Sequence, residues 1–62
     1  MAYIIRRTDR GGGYVAPSGN PSSYVKDPRN ARQFATWELA GRELCEGNEV
    51  VVEYHPDSLR HA

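Results

Sequence analysis

The chain has 62 residues, 39% of them hydrophobic and 26% charged, with one cysteine and a formal net charge of zero. A chain this short buries only about 60% of its unfolded surface, which excludes a second core and indicates one small domain. No apolar run reaches the roughly 18 residues of a membrane span, and we expect no signal peptide because the N-terminal segment soon becomes charged. The lone Cys45 excludes an internal disulfide and predicts a cytoplasmic protein.

The two halves of the chain carry opposite charges. Residues 1–32 hold six basic and two acidic side chains, whereas residues 33–62 hold six acidic and two basic ones. If the halves stay separate after folding, the split orients the molecule in the electric field of a charged partner. If folding intermixes them, the charges form an ordinary solvated surface, and the sequence leaves both interpretations open.

The N-terminal half predicts a β-hairpin followed by a turn. Residues 2–8 combine β-branched and aromatic side chains and predict a strand, and residues 14–16 predict the strand that returns beside it. The three glycines at 11–13 can adopt the positive φ values of the loop between them. Residues 18–23 are typical of a turn, and the next two residues, Tyr24 and Val25, are too few to assign.

The C-terminal half predicts a short strand at residues 32–35 and then a helix. Thr36 is a suitable N-cap for a helix from Trp37 to Glu46, because its hydroxyl can accept hydrogen bonds from free helical N–H groups. The helical spacing assigns four residues to a buried stripe: Trp37, Ala40, Gly41 and Leu44.

Residues 49–54 give the clearest strand pattern of the chain. Two sets of side chains alternate along it: Val50, Val52 and Tyr54 on one face, and Glu49, Val51 and Glu53 on the other. We expect the first set to pack against the helix and the acidic set to lie in water.

These elements predict one α+β domain over residues 1–62, in which a helix covers a small antiparallel sheet of β–β–(β)–α–β order. We expect residues 55–62 to form a short polar tail, either flexible or with one helical turn. The predicted core consists of Ile4 or Ile5, together with Val15, Phe34, Trp37, Ala40, Leu44, Val50 and Val52.

The reactive side chains do not form a recognisable catalytic or metal-binding pattern. His55 and His61 lie near the end of the chain, and Cys45 has no basic neighbour in sequence that would activate it as a nucleophile. A zinc site built from these residues and Asp57 would need ligand spacings unlike those of known zinc motifs. The glycines at 11–13 precede a strand rather than a helix, which disfavours a phosphate-binding loop. We therefore predict no enzyme activity, no catalytic residue, no metal site and no cofactor.

Basic and tyrosine residues of the N-terminal half suggest one possible binding surface, for nucleic acid. Tyrosines flanked by arginines can stack on bases and contact phosphates. The net charge of zero argues against this interpretation, since dedicated nucleic-acid-binding domains usually carry positive charge. The residues of this alternative set are Arg6, Arg7, Arg10, Tyr14, Arg29 and Arg32.

The outer face of the predicted helix suggests a second surface, for a protein partner. Leu39 is about 200° around the helix from Trp37 and therefore faces away from the buried stripe. An exposed leucine with acidic neighbours is either an ordinary surface residue or the apolar anchor for a basic partner. The predicted protein-binding residues are Glu38, Leu39, Glu43 and Glu46.

Nearly half of the chain resembles a loose pattern found in small proteins encoded by phages and prophages. That pattern reads Tyr-x-x-Asp, then Ala-Arg-x-Phe-x-Thr, a short helix and a Val-rich strand. The matching positions are Tyr24, Asp27, Ala31, Arg32, Phe34, Thr36, Ala40 and Val50 to Val52. Several phage proteins of this size are anti-CRISPR or other anti-defence inhibitors. The resemblance therefore implies an inhibitor that binds a host defence complex, such as a nucleic-acid-handling CRISPR–Cas subunit, and blocks it sterically.

Overall fold

The computed structural model describes residues 2–45 and 47–55. Four strands and one α-helix follow one another in these ranges: β1 (Ala2–Arg7), β2 (Tyr14–Val15), β3 (Tyr24–Val25), α1 (Trp37–Glu43) and β4 (Glu49–Tyr54). A short 3-10 turn, Pro28–Asn30, lies between β3 and α1. The strands form one antiparallel sheet in the order β3–β2–β1–β4. The predicted α+β fold is confirmed; the expected tail, from residue 56 onwards, lies outside the described residues.

The β1–β2 hairpin forms where the three glycines predict it. The Asp9 carbonyl accepts a hydrogen bond from the Gly12 N–H at 2.9 Å, and the Gly13 carbonyl accepts one from the Arg7 N–H at 2.8 Å. Gly11, Gly12 and Gly13 have φ values between 86° and 113°. Residues with a side chain rarely adopt this conformation, which explains why glycines form the loop.

The third strand is Tyr24–Val25, and the prediction of a strand at residues 32–35 is wrong. Those residues contribute one bridge, in which Phe34 and Tyr3 exchange two backbone hydrogen bonds of 2.8 and 2.9 Å. Because β2 has only two residues, it leaves the first half of β1 with an open edge. A single residue, Phe34, is enough to occupy that edge.

Both faces of the sheet are covered. The face under α1, here called the helix face, carries one buried cluster: Ile5, Phe34 and Ala40. The opposite face, here called the turn face because the Pro28–Asn30 turn lies over it, carries another: Ile4, Ala31 and Tyr54. Successive strand residues point to opposite faces, so Ile4 and Ile5 are both buried, at 2% and 0% exposure.

α1 covers the face of β4 opposite to the one predicted. Ile5 lies opposite Val51 in the register of β1 with β4, and Val51 packs against the cluster under α1. Glu49 shares that face and is buried, whereas Val50 is on the turn face and 38% exposed. The alternation within β4 is as predicted, but tertiary packing decides which side receives the helix.

α1 ends at Glu43, before the predicted end at Glu46, which lies outside the described residues. The helix stops because Leu44 turns into the helix-face cluster and the Cys45 N–H donates to the Glu49 carboxylate at 2.8 Å. That N–H is then no longer available to a helical carbonyl. Within the described ranges, no helix is long and apolar enough to cross a membrane.

The predicted core is partly correct. Phe34 and Ala40 are buried, and three predicted members are half-buried against the two clusters: Val15, Leu44 and Val52. Trp37 is 55% exposed and meets Tyr3 only edge-on, with ring centroids 6.0 Å apart. A helix of seven residues presents one short stripe to the sheet, and Ala40 occupies its centre.

Candidate functional site

The outer face of α1 presents Leu39 to solvent at 43% exposure. The helix holds this residue firmly, because Thr36 Oγ1 accepts a hydrogen bond from the Leu39 N–H at 3.2 Å and the adjacent Ala40 is completely buried. Glu38 and Glu43 are also exposed on α1. Three of the four predicted protein-binding residues therefore lie at the surface, and the fourth, Glu46, falls outside the described residues.

Leu39 borders a shallow groove of about 410 Å³ between α1 and the segment that precedes it. Arg42 and Glu43 line the groove from α1, and Arg32 and Phe34 line it from the preceding segment. Arg32 Nη1 lies 3.3 Å from Glu43 Oε1, and the Arg32 guanidinium carbon lies 4.9 Å from the centroid of the Phe34 ring. The rim around Leu39 thus carries both signs of charge, whereas the charged residues of the predicted set are all acidic.

The two arginines of this groove differ in how far the sequence reveals them. Arg42 lies three residues after Leu39, so helical spacing alone places both on one face. Arg32 reaches the groove through the path of the chain between β3 and α1, and no local pattern indicates that contact.

The fold disperses the alternative nucleic-acid set. Its members are Arg6, Arg7, Arg10, Tyr14, Arg29 and Arg32. Arg7 pairs with Asp9 at 2.7 Å, Arg29 pairs with Asp27 at 2.9 Å, and Arg32 pairs with Glu43. Arg10 lies in the hairpin loop. Arg6 and Tyr14 are brought side by side, as register partners between β1 and β2.

Arg6 and Tyr14 border a largely apolar cavity of about 290 Å³ on the turn face. Val52, Tyr54 and His55 contribute further walls. Arg6 is exposed, and no acidic side chain in the described ranges forms an ion pair with it. Glu53 lines the same cavity, so its border carries a charge of each sign.

A buried carboxylate connects the helix face from β3 to the end of α1. Glu49 is 8% exposed; its Oε2 accepts a hydrogen bond from the Tyr24 hydroxyl, and its Oε1 accepts one from the Cys45 N–H at 2.8 Å. The Arg7 guanidinium carbon lies 4.4 Å from the centroid of the Tyr24 ring. The hydrogen bond to Glu49 raises the pKa of Tyr24, burial and the charge of Glu49 act in the same direction, and Arg7 opposes them. Because these groups engage one another, we assign them a structural role.

Reactive side chains are scattered across the described part of the chain. No three of its His, Cys, Asp and Glu side chains lie close enough to hold a metal ion. Cys45 is a free, exposed thiol, while Asp57 and His61 lie outside the described residues. Comparison with protein-family models, curated proteins and solved structures gives no match to this chain.

Proposed function

We propose that this chain is a protein-binding domain without enzyme activity, and that the face of α1 around Leu39 is its contact surface. The observation that carries this proposal is the exposure of Leu39, 43%, on a capped helix beside a groove. A leucine in this setting can enter an apolar pocket of a partner without first being ordered, which lowers the entropic cost of binding.

The charges around the groove support a partner with charges of both signs. Glu38 favours a basic partner, as the sequence predicts, while Glu43 is paired with Arg32 and Arg42 adds a positive charge to the same rim. Opposite charges at the rim steer encounter, and the apolar centre slows dissociation.

A narrower hypothesis concerns the identity of the partner. We propose a host defence complex, such as a CRISPR–Cas effector, blocked by steric occlusion in the bacterial cytoplasm. Support for this hypothesis comes from the resemblance to phage proteins, and for the location from the single cysteine. The direct test is cleavage of target DNA by a purified effector complex with and without the chain; unchanged cleavage at saturating concentration contradicts the choice of that effector.

The broader proposal is tested by capture from bacterial lysate with and without nuclease, followed by binding kinetics with the captured protein. We expect to capture a protein partner whether or not nuclease is present. This partner should dissociate faster from the Leu39→Ala variant than from the parent. Arg6→Ser is the matched control, because Arg6 is exposed on the other face of the sheet. Equal dissociation rates for the parent and Leu39→Ala would place the contact surface elsewhere.

A second candidate function, nucleic-acid binding, is favoured by the pairing of Arg6 and Tyr14 beside the turn-face cavity. The measurement is fluorescence anisotropy of a labelled single strand at increasing salt, since phosphate contacts weaken as salt rises. This function predicts salt-sensitive binding that Arg6→Ser weakens and Arg32→Ser does not, because Arg32 already pairs with Glu43. Absence of binding at low salt rejects it.

A further inference from the structure

β4 forms one edge of the sheet, and the described residues place no strand beside its outer side. Tyr3 exchanges backbone hydrogen bonds with Phe34, on the side of β1 away from β4. Residues opposite each other in an antiparallel pair alternate between bonded and non-bonded, so Glu53, which lies opposite Tyr3, directs its N–H and C=O outwards. Val51, two residues earlier, does the same. With respect to residues 2–45 and 47–55, β4 therefore presents a row of free donors and acceptors.

This edge lacks several of the features that usually prevent pairing, although it carries the charges of Glu49 and Glu53. β4 has six residues and contains no proline, lysine or glycine, whereas natural edges are often short or carry proline or lysine. Val50 is 38% exposed and Val52 is half-buried. A strand added here would cover apolar surface and satisfy the free backbone groups together.

We propose that β4 pairs antiparallel with β4 of a second copy of this chain, about a two-fold axis between the two Val52 residues. The backbone groups of Val52 point inwards, towards Ile4, so the two Val52 residues form a non-hydrogen-bonded pair at the centre. Val51 and Glu53 then exchange hydrogen bonds with Glu53 and Val51 of the second copy. The product is one sheet of twice four strands, with both helices on the same face.

The charges along β4 are compatible with this occupant and disfavour the neighbouring register. The chain has a net charge of zero, so two copies do not repel each other overall. An axis at Val51 would place Glu49 directly opposite Glu53 of the second copy, and like charges in opposite positions destabilise a sheet. An axis at Val52 places Glu49 opposite His55 and Glu53 opposite Val51 of the second copy, so no two glutamates of β4 lie directly opposite each other.

This interface is separate from the proposed protein-binding surface. Leu39 borders the groove formed with Arg32 and Phe34, and none of the three belongs to β4. Leu39→Ala is therefore expected to pair with a second copy as the parent does, so the two proposals fail independently.

The register is tested by disulfide cross-linking in a Cys45→Ser background, which removes the only natural thiol. Non-bonded antiparallel partners have Cα atoms about 4.5 Å apart, within the roughly 4.4–6.8 Å that a disulfide spans. We expect Val52→Cys to form a cross-linked dimer under mild oxidation. Val51→Cys is the matched control, because its diagonal distance to the same residue of the second copy is about 7–8 Å.

The outer hydrogen bonds are tested by removing one donor from the backbone. Cys45 permits native ligation of a synthetic segment 45–62 to residues 1–44, so N-methyl valine can replace Val51 without change of side chain. Each copy loses one intermolecular bond worth a factor of about five, so the dissociation constant of the dimer should rise roughly 25-fold. Sedimentation equilibrium measures this constant, and circular dichroism shows whether each variant is folded.

The proposal is supported if a dimer, with twice the 7.0 kDa mass of the chain, appears as concentration rises. Val52→Cys must also form the cross-link, and N-methylation of Val51 must weaken the dimer. A chain that remains monomeric at all concentrations overturns the proposal. So does preferential cross-linking at position 51, which indicates the other register. If N-methylation of Val51 leaves the dissociation constant of the dimer unchanged, the interface lies on a different surface. That result also overturns the proposal.

Discussion

The two faces of the sheet are covered by different means. On the helix face, α1 and Phe34 close over Ile5, which is completely buried, as is Ala40. On the turn face, Ala31 covers Ile4, but a cavity of about 290 Å³ remains beside it. On the helix face the groove lies between α1 and the segment before it and reaches only Phe34 of the cluster, whereas on the turn face the cavity adjoins Ile4 itself.

Because of this difference, we expect the two faces to contribute unequally to the stability of the fold. The helix face has the tighter cluster and a buried carboxylate whose oxygens are both hydrogen-bonded. The turn face holds the exposed Arg6 and the largely apolar cavity beside Tyr14. We expect substitutions on the helix face to lower the free energy of unfolding more than equivalent substitutions on the turn face.

The largest expected effect comes from the adjacent pair Ile5 and Ile4. Ile-to-Ala changes in a core cost about 2–5 kcal/mol; we expect Ile5→Ala in the upper half of that range and Ile4→Ala in the lower half. Ile4 already borders a cavity and therefore has fewer neighbours to lose. Urea unfolding measures both, and the milder Ile5→Val and Ile4→Val keep the comparison available if an alanine variant unfolds. An equal or larger loss at Ile4 contradicts the comparison.

Local signals in the sequence predict much of this fold. The three glycines of the hairpin, the Thr36 cap and the alternation in β4 each act within a few residues, and the structure confirms all three. Burial is less predictable, because it depends on which face of β4 meets α1. The periodicity assigns Trp37 and Val50 to the core, but both side chains are exposed, at 55% and 38%.

In the candidate site too, local contacts are predictable from the sequence and distant contacts are not. The exposure of Leu39 is predictable from helical spacing alone, as is its shared face with Arg42. The contact of Arg32 with Glu43 joins positions 11 residues apart, and burial of Glu49 depends on a tyrosine from β3, 25 residues away. These pairs exist only once the chain has folded, so no local pattern reveals them.

The next largest effect concerns the buried carboxylate of the helix face. Tyr24→Phe removes the donor to Glu49 Oε2 and leaves a buried acceptor unsatisfied, which should lower the free energy of unfolding by about 1–3 kcal/mol. Tyr14→Phe is the matched control on the turn face, since the Tyr14 hydroxyl has no hydrogen-bond partner in the described ranges. Urea unfolding of both variants measures the difference; equal losses would show that the Glu49 bond contributes nothing.

The same hydrogen bond predicts a limit at alkaline pH. The pKa of Tyr24 is raised in the folded chain, chiefly by its bond to Glu49. Its contribution to stability is therefore complete below the ordinary tyrosine pKa of about 10 and is lost as pH rises through the higher folded value. Unfolding curves above pH 10 should show this loss in the parent. The loss should be smaller in Tyr24→Phe, and identical alkaline profiles would contradict the assignment.

The smallest expected effect lies on the turn face, at the 3-10 turn that covers it. Hydrogen bonds from Arg29 lower the pKa of Asp27, whose carboxylate accepts the Arg29 N–H at 2.9 Å and so caps the turn. A lowered pKa means that this contribution is complete above the ordinary aspartate value and is lost as pH falls through the folded value.

The loss on acidification should be local to the turn face. Pro28 follows the cap and lines the cavity, so amide signals of residues 28–31 and ring signals of Tyr54 should shift on acidification. Trp37, whose ring meets Tyr3 on the helix face, should keep its fluorescence over the same range. Asp27→Asn retains an oxygen that can cap the turn but cannot titrate, so its signals should stay constant. If Trp37 fluorescence changes together with the Tyr54 signals, the two faces respond as one unit and the separation argued between them does not hold.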